Sequence, residues 1–296
     1  MALSRVFNVQ SGVRQGSSFS PALFNVFINI FIDNLKSSNK GCVISSIYVG
    51  VIMYADDLIL LSASVEGLQY MMDVCKAVSV EAMMKFNCKK CSYAVVGRAS
   101  RHIISDMRLG NDKILWSGSF KYLGIPFNTG RSLTVDTQLI KRKFFASSNC
   151  ILGNVSCLNE IIKLSMVETF SLPILLFATA ALKMSKSQIS ELNASWNAAY
   201  RRIFGFNKWE SVHNFVHGLG RLDFSHLRLY LHLKFCSTNL SCSNLTLKGV
   251  MNTYYCSATL KNLCASVGIS SSEYARFASI PINRLKACIH TAFANL

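Results

Sequence analysis

Acidic side chains are scarce in this sequence: 15 Asp and Glu stand against 31 Lys and Arg across 296 residues, a formal charge of +16. That sign disfavours cationic partners and favours polyanions, either nucleic acid or an anionic membrane surface. Long apolar runs are also missing. The longest, Leu172 to Leu182 and Ile47 to Leu61, fall short of the roughly 20 residues that a membrane helix needs, and the second contains two aspartates. No membrane helix is therefore expected. The opening residues Met-Ala-Leu-Ser-Arg lead into no apolar core and no small-residue cleavage site, so a secretory signal is not expected either. The 11 cysteines are odd in number and irregularly spaced, which excludes a simple disulfide framework and suits reduced thiols. An intracellular protein, of nucleus or cytoplasm, is implied. Cys88 and Cys91 form one C-x2-C and His213 and His217 stand four apart, yet neither pair has a second pair at zinc-finger distance. They read more plainly as partly buried thiols and one face of a helix.

Half of the chain is apolar (51%), enough to bury a substantial core in one large domain or in two to three smaller ones. The positive charge is uneven. Residues 1–130 carry 13 basic and 8 acidic side chains (+5) and residues 131–296 carry 18 and 7 (+11), so a polyanion is expected across the second part. Internal repeats and low-complexity tracts are absent.

Residues 6–10 alternate weakly and enter Ser11-Gly12-Val13-Arg14-Gln15-Gly16, a flexible loop. Ser20 is expected to cap the next helix and Pro21 to start it. Leu23, Phe24, Phe27, Ile28, Phe31 and Leu35 then give one apolar helical face, ending near Lys36. Two β-prone runs, 47–54 and 58–61, are joined at Asp56-Asp57 and predict a tight hairpin. Leu68, Met71, Met72, Cys75 and Val78 fit a second helix. Asn87 to Lys90 is a polar turn into a strand at 93–96, residues 107–116 form a hairpin turning at Gly110-Asn111-Asp112, and 120–127 is a further strand. Beyond Gly130-Arg131-Ser132 helical periods dominate and prolines are rare, which places a domain boundary there. The expected division is 1–130 mixed helix and sheet, 131–205 helical, and 206–296 a C-terminal helical segment.

Asp56 and Asp57 pose the sharpest question. A carboxylate buried between apolar strands without compensation costs several kcal/mol. A neighbouring cation or a solvated turn is one answer. The other is a divalent ion such as magnesium, which takes one or two carboxylates plus phosphate oxygens.

The surrounding motifs favour the ion. Ser11 to Pro21 lies about forty residues before Tyr54-Ala55-Asp56-Asp57, and Asn87-Cys88-Lys89-Lys90-Cys91 and Phe120-Lys121-Tyr122-Leu123-Gly124 follow in order. Together they resemble the reverse transcriptases of non-LTR (LINE-type) retrotransposons, in their C-terminal half. The resemblance implies an α+β fold: a partial polymerase palm, an antiparallel sheet with packed helices, followed by an all-helical thumb. It implies RNA-directed DNA polymerase chemistry with two Mg2+ ions, an RNA template, a DNA primer and dNTPs. Asp56 and Asp57 would hold metal and, with Lys90 on the pyrophosphate side, form the catalytic set. Arg14, Gln15 and Gly16 would lie beside nucleotide and template, and Tyr54, Tyr122, Leu123 and Gly124 beside the primer. Lys141, Arg142, Lys143, Arg201 and Arg202 would contact the nucleic-acid backbone.

The family's first catalytic aspartate stands on a strand upstream of the glycine loop, behind a basic fingers region. Residues 1–10 contain no carboxylate, and Asp33, on the helix after the loop, is a poor substitute. The expectation is a fragment of an element-encoded polyprotein, inactive alone and completed by its N-terminal portion. The competing expectations are a non-catalytic basic nucleic-acid-binding protein and a degenerate retroelement remnant.

Overall fold

The computed structural model describes residues 12–98, 106–177, 179–255, 258–274 and 277–294. The weak alternation at residues 6–10 lies outside them. The chain divides into two compact units, Met1–Gly118 and Ser119–Leu296. The division precedes the change of pattern at 130, because the hairpin at 119–128 packs its inner side chains with the helices that follow it.

In the first unit two helices back onto short strand pairs. Helix α1 (Ser20–Ser37) and helix α2 (Val65–Glu81) share a core of Ile28, Phe31, Leu35, Met71, Met72, Cys75 and Val78, closed by Met107, Leu109 and Ile114. The α2 start is capped as its sequence dictates, the Ser64 hydroxyl accepting from the Gly67 N–H at 3.0 Å. The start of α1 corrects the expectation. Phe19 occupies the cap position, and Ser20, already inside the helix, donates its hydroxyl backwards to the Arg14 carbonyl at 2.5 Å. Pro21 still stands in the first turn. Of the expected apolar face only Ile28, Phe31 and Leu35 are buried, whereas Leu23 and Phe27 are exposed, as are Val26 on α1 and Phe19 at its cap.

The apolar run 47–54 is broken into two pieces. Strands β1 (Val43–Ile44) and β2 (Ile47–Tyr48) pair across Ser45 and Ser46, both at positive φ, in the sense that hairpin twist favours. Strands β3 (Val51–Tyr54) and β4 (Asp57–Leu60) form the second hairpin. Between them the Tyr48 ring lies against Gly50, where a Cβ would come within 2.6 Å of it, so only glycine fits the joint. The expected strand 93–96 shortens to β5 (Ser92–Tyr93), which pairs in parallel with β8 (Leu115–Trp116). The hairpin at 107–116 is present, with β6 (Arg108–Leu109) and β7 (Asp112–Lys113) turning through Gly110 at φ +63°. Gln69 fastens it to α2, accepting from the Arg108 N–H at 2.9 Å and donating to the Arg108 carbonyl at 2.7 Å.

The second unit opens with a three-stranded antiparallel sheet of β9 (Ser119–Tyr122), β10 (Ile125–Asn128) and β11 (Thr134–Val135), with β10 central. The single strand expected at 120–127 is therefore a hairpin. Leu123 and Gly124, at φ +46° and +85°, make its two-residue turn. Helices follow: α3 (Thr137–Asn154), α4 (Glu160–Phe170), α5 (Leu172–Leu176), α6 (Lys186–Phe204), α7 (His213–Gly218), α8 (Phe224–Leu240), α9 (Leu245–Tyr255), α10 (Ala258–Ser266), α11 (Ser271–Tyr274) and α12 (Ile282–Ala294). Phe144 of α3 meets Trp196 of α6, whose ring packs on Tyr200, at the centre of one continuous apolar core. Asp136, Asn159, Ser185 and Asp223 each accept from first-turn amides, so polar caps set the starts of α3, α4, α6 and α8. The protein is thus mixed helix and small sheets, α+β in class. No helix among the described residues is long and apolar enough to cross a membrane.

Candidate active site

Strand register decides where the two aspartates point. Opposite residues on the β3–β4 ladder are Val51 and Leu60, Ile52 and Ile59, Met53 and Leu58, and Tyr54 and Asp57. Residues that face one another share a side of the sheet, and the side alternates along the strand. Val51, Met53, Leu58 and Leu60 therefore lie on the inner side, and all four pack against the core of the first unit. Tyr54 and Asp57 take the outer side, leaving the two-residue turn Ala55-Asp56, with Ala55 at φ +50°. Asp56 and Asp57 are both exposed, and among the described residues neither forms an ion pair or side-chain hydrogen bond. The neighbouring cation that would have neutralised the pair is absent from that set. Two solvated carboxylates on consecutive residues of a tight turn are hard oxygen donors with open coordination, and they suit magnesium. No group of three or more His, Cys, Asp or Glu side chains able to hold a metal is found among the described residues.

The glycine loop is folded on itself. The Arg14 carbonyl receives the Ser20 hydroxyl and, at 3.4 Å, the Ser17 N–H, so Arg14 to Ser17 is a closed turn. Gly16 takes φ +82°, with open space where a Cβ would stand, so glycine is required there by backbone conformation alone. Arg14, Gln15 and Gly16 are exposed on that turn. Lys90 closes a second turn, its N–H donating to the Asn87 carbonyl at 2.9 Å, and its side chain is exposed. Cys91 donates its thiol to the same carbonyl, and burial pushes both the Cys88 and Cys91 thiols upward.

On the second unit, Tyr122 is part-buried against the helical core and Leu123-Gly124 form the exposed tip of its hairpin. The basic residues divide. Glu191 accepts from Lys141 at 2.7 Å, Thr137 at 2.8 Å and Gln138 at 2.5 Å, and these hydrogen bonds, Lys141 foremost, hold its carboxyl below the usual range. Arg201 donates to the Glu210 carbonyl at 2.9 Å, and Arg202 donates to the Asn149 side chain. Start meets start and end meets end, so α3 and α6 run parallel, bound at both ends by cations. Arg142 and Lys143 remain exposed. His213 and His217 lie on α7 with their rings 4.9 and 5.6 Å from that of Phe293, a packing role. The structure thus gathers Tyr54, Asp56 and Asp57 on one hairpin end, and Arg14, Gln15 and Gly16 on one turn. Trp209, an exposed aromatic among basic neighbours, had no periodic or motif signal to mark it.

Residues 2–127 match the family described as reverse transcriptase (RNA-dependent DNA polymerase). This segment belongs to the reverse transcriptases, a nucleotidyltransferase family. Its kind is shown by a relative, the retrovirus-related Pol polyprotein from type-1 retrotransposable element R2 of Nasonia vitripennis, to which it is 32% identical over 127 residues. The match covers 40% of this chain and 12% of that polyprotein. The segment is thus similar to reverse transcriptases, that of a retrotransposable element among them, and spans a small part of that polyprotein's length.

Proposed function

We propose that the chain is the palm-and-thumb portion of an RNA-directed DNA polymerase of a non-LTR retrotransposon, acting inside the cell in the nucleus or cytoplasm. The observation that carries this reading is the exposed, unpaired Asp56-Asp57 turn within a segment of reverse transcriptase type. Asp56 is the main metal ligand and Asp57, one residue on at the start of β4, a secondary ligand or acceptor. Magnesium held by Asp56 and Asp57 would supply activation of a primer 3′-hydroxyl and charge stabilisation for the leaving pyrophosphate. The chain's own residues position the reactants. Tyr54 shares the outer side of the hairpin with Asp57 and shapes the wall beside the primer end. Gln15 and Gly16 lie by the templating base and nucleotide, the glycine letting backbone approach closely, and Arg14 reaches phosphate. Lys90 is the charge partner or proton donor for pyrophosphate. Leu123 and Gly124 touch the primer backbone, with Tyr122 bracing their hairpin. Arg142, Lys143, Arg201 and Arg202 contribute salt-dependent backbone contacts in the thumb, and Lys141 does so only where Glu191 releases it.

Two carboxylates alone hold two ions poorly, so the site calls for a third carboxylate beside the Asp56-Asp57 turn. A strand supplying a third carboxylate from the N-terminal portion of the polyprotein completes the site. The exposed apolar residues Leu23, Val26 and Phe27 on α1, with Phe19 at its cap, suit packing by such a portion.

The test is Mn2+ binding followed by electron paramagnetic resonance, with and without an RNA template annealed to a DNA primer, together with primer extension by the chain alone and fused to an upstream segment bearing the aspartate. Extension by the fusion, lost in Asp56→Ala, supports the reading. Unchanged metal binding in Asp56→Ala and Asp57→Ala, with nucleic-acid affinity governed by the Lys and Arg clusters, would assign the chain to non-catalytic binding.

A further inference from the structure

Between α6 and α7 the second unit holds a large ring out in solvent on a turn that is tied down at every corner. Trp209 is 87% exposed, whereas Ile203 before the turn and Val212 after it are buried. Gly205 ends α6 in the left-handed region at φ +72°, and the Phe206 N–H returns to the Arg201 carbonyl at 3.0 Å. Phe204 and Phe206 both pack on Phe215, with centroids 4.6 and 4.9 Å away. The Glu210 carboxylate accepts from the Asn207 N–H at 2.9 Å and from its side-chain amide at 2.8 Å. The Glu210 N–H donates to the Asn207 carbonyl at 3.1 Å, and the Glu210 carbonyl accepts from Arg201 at 2.9 Å. The turn is preformed, and the indole contributes nothing to the core beneath it.

The surroundings of the ring are cationic. The Lys208 ammonium lies 4.9 Å from the Trp209 centroid, over the ring. Arg201 and Arg202, in the last turn of α6, each use part of a guanidinium on a neighbour and retain further N–H donors. The single carboxylate of the turn, that of Glu210, is occupied by Asn207. An exposed aromatic ring with a lysine over one face and Arg201 bonded to the carbonyl of the next residue, fixed before any ligand arrives, has the chemistry of a base-stacking platform: the ring takes a π-face and the cations take the adjoining phosphates.

We propose that Trp209 stacks on an unpaired base of a single-stranded nucleic acid, with Lys208, Arg201 and Arg202 holding the flanking phosphates. The site is separate from the Asp56-Asp57 turn, and it rests on the nucleic-acid reading above but not on catalysis. A base inside a duplex offers no free face, so this element selects unpaired strand, a template or primer overhang, over duplex.

Fluorescence anisotropy on the full chain tests it, with a labelled single-stranded 20-mer, a duplex of the same sequence, and a 20-mer whose bases are replaced by abasic residues. Trp209→Ala is expected to weaken the single strand by about 5- to 100-fold, the range for loss of one stacked base. Duplex affinity should change by less than about twofold, because backbone charge is untouched. Trp209→Phe should recover most of the loss, and the abasic strand should bind wild type and Trp209→Ala alike. Equal weakening of single strand and duplex, or no weakening of either, overturns the stacking site while leaving nucleic-acid binding intact. Failure of the wild-type chain to bind any of the probes overturns both readings. Unchanged affinities with loss of self-association in Trp209→Ala, measured by sedimentation, would assign the ring to a protein contact and overturn the proposal as well.

Discussion

Tyr54 and Asp57 face one another across the last rung of the β3–β4 ladder, so an aromatic ring and a carboxylate stand side by side on the outer side of the hairpin. The two-residue loop forces this arrangement. With Ala55-Asp56 as the whole turn, Asp57 must be the first strand residue, and its partner cannot be any residue but Tyr54. The inner side is filled by Val51, Met53, Leu58 and Leu60, and a shift of one residue would put Asp57 into that apolar layer. Packing of the core thereby fixes which way the acidic pair points.

The turn is held in a conformation that alanine resists. Ala55 sits at φ +50°, where a Cβ costs about 1–2 kcal/mol relative to the ordinary regions. Ala55→Gly removes that cost at the expense of some added freedom in the unfolded chain. The substitution should stabilise the first unit by about 1 kcal/mol. Calorimetry of the full chain should show its transition move up by a few degrees; a lowered transition would mean that the Ala55 methyl makes a contact that outweighs the strain.

The charges of α3 are predicted to separate by function. Lys141 is occupied by Glu191, which also accepts from Thr137 and Gln138, so Glu191→Ala removes charge-assisted bonds that join α3 to α6. The group is partly exposed, and solvent screening brings the expected loss to about 1 kcal/mol. Denaturant unfolding should show that loss for Glu191→Ala and a similar one for Lys141→Ala. Arg142→Ala and Lys143→Ala should leave stability unchanged while each lowers the slope of log affinity against log salt for nucleic acid by about one. If Lys141→Ala lowers the salt slope as much as Arg142→Ala, the ion pair with Glu191 opens on binding.

Much of the first unit is legible in the sequence because its signals are local and repeated. The spacing of Met71, Met72, Cys75 and Val78 fixes α2, and the Asp56-Asp57 bend between two apolar runs fixes the β3–β4 hairpin. The break at Gly50 is hidden, because the reason for it is the Tyr48 ring lying across that position, a contact that no periodicity encodes. Ser20 followed by Pro21 has the composition of a helix cap, yet the Arg14 carbonyl captures the hydroxyl and moves the cap to Phe19. Leu123-Gly124 reads through as strand because apolar residues continue across it; the Gly at the second turn position is the available sign of a hairpin. Basic clusters are visible as composition, but their division into structural and exposed members depends on partners some fifty residues away, as with Lys141 and Glu191.

The described thiols should differ sharply in reactivity. Burial pushes Cys75 and Cys264 up to about 12 and Cys236 up to about 11, while Cys150 and Cys157 are exposed. Since the thiolate is the attacking species, a maleimide or iodoacetamide pulse at pH 8 should label Cys150 and Cys157 in the native protein and the three buried thiols only after denaturation. Peptide mapping by mass spectrometry reads this directly. Labelling of Cys75 on the timescale of Cys150 would show that the α1–α2 core opens readily.

His232 gives the second unit a pH dependence on the acidic side of neutrality. Its ring is buried in α8 and hydrogen-bonded through Nδ1 to the Ala180 carbonyl at 2.5 Å, with Cys236 beside Nε2. Burial lowers its pKa below the usual 6.5; the Ala180 carbonyl opposes that shift and the nearby Arg228 adds to it. A histidine whose folded pKa is depressed binds fewer protons folded than unfolded, so its contribution to stability is fully present above 6.5 and is lost as pH falls from there toward the folded value. Asp223, where the raising effect of burial is outweighed by the hydrogen bonds and charge of His226, titrates in a more acidic window and does not obscure the step. The urea midpoint should therefore fall between pH 7.5 and pH 5.5, and His232→Gln, which keeps a donor for the Ala180 carbonyl but cannot take up the proton, should flatten the fall at some cost in stability at neutral pH. An equally steep fall in His232→Gln would move the titrating group elsewhere, and His290, which burial and the nearby Lys286 also hold below the usual value, would be the next to substitute.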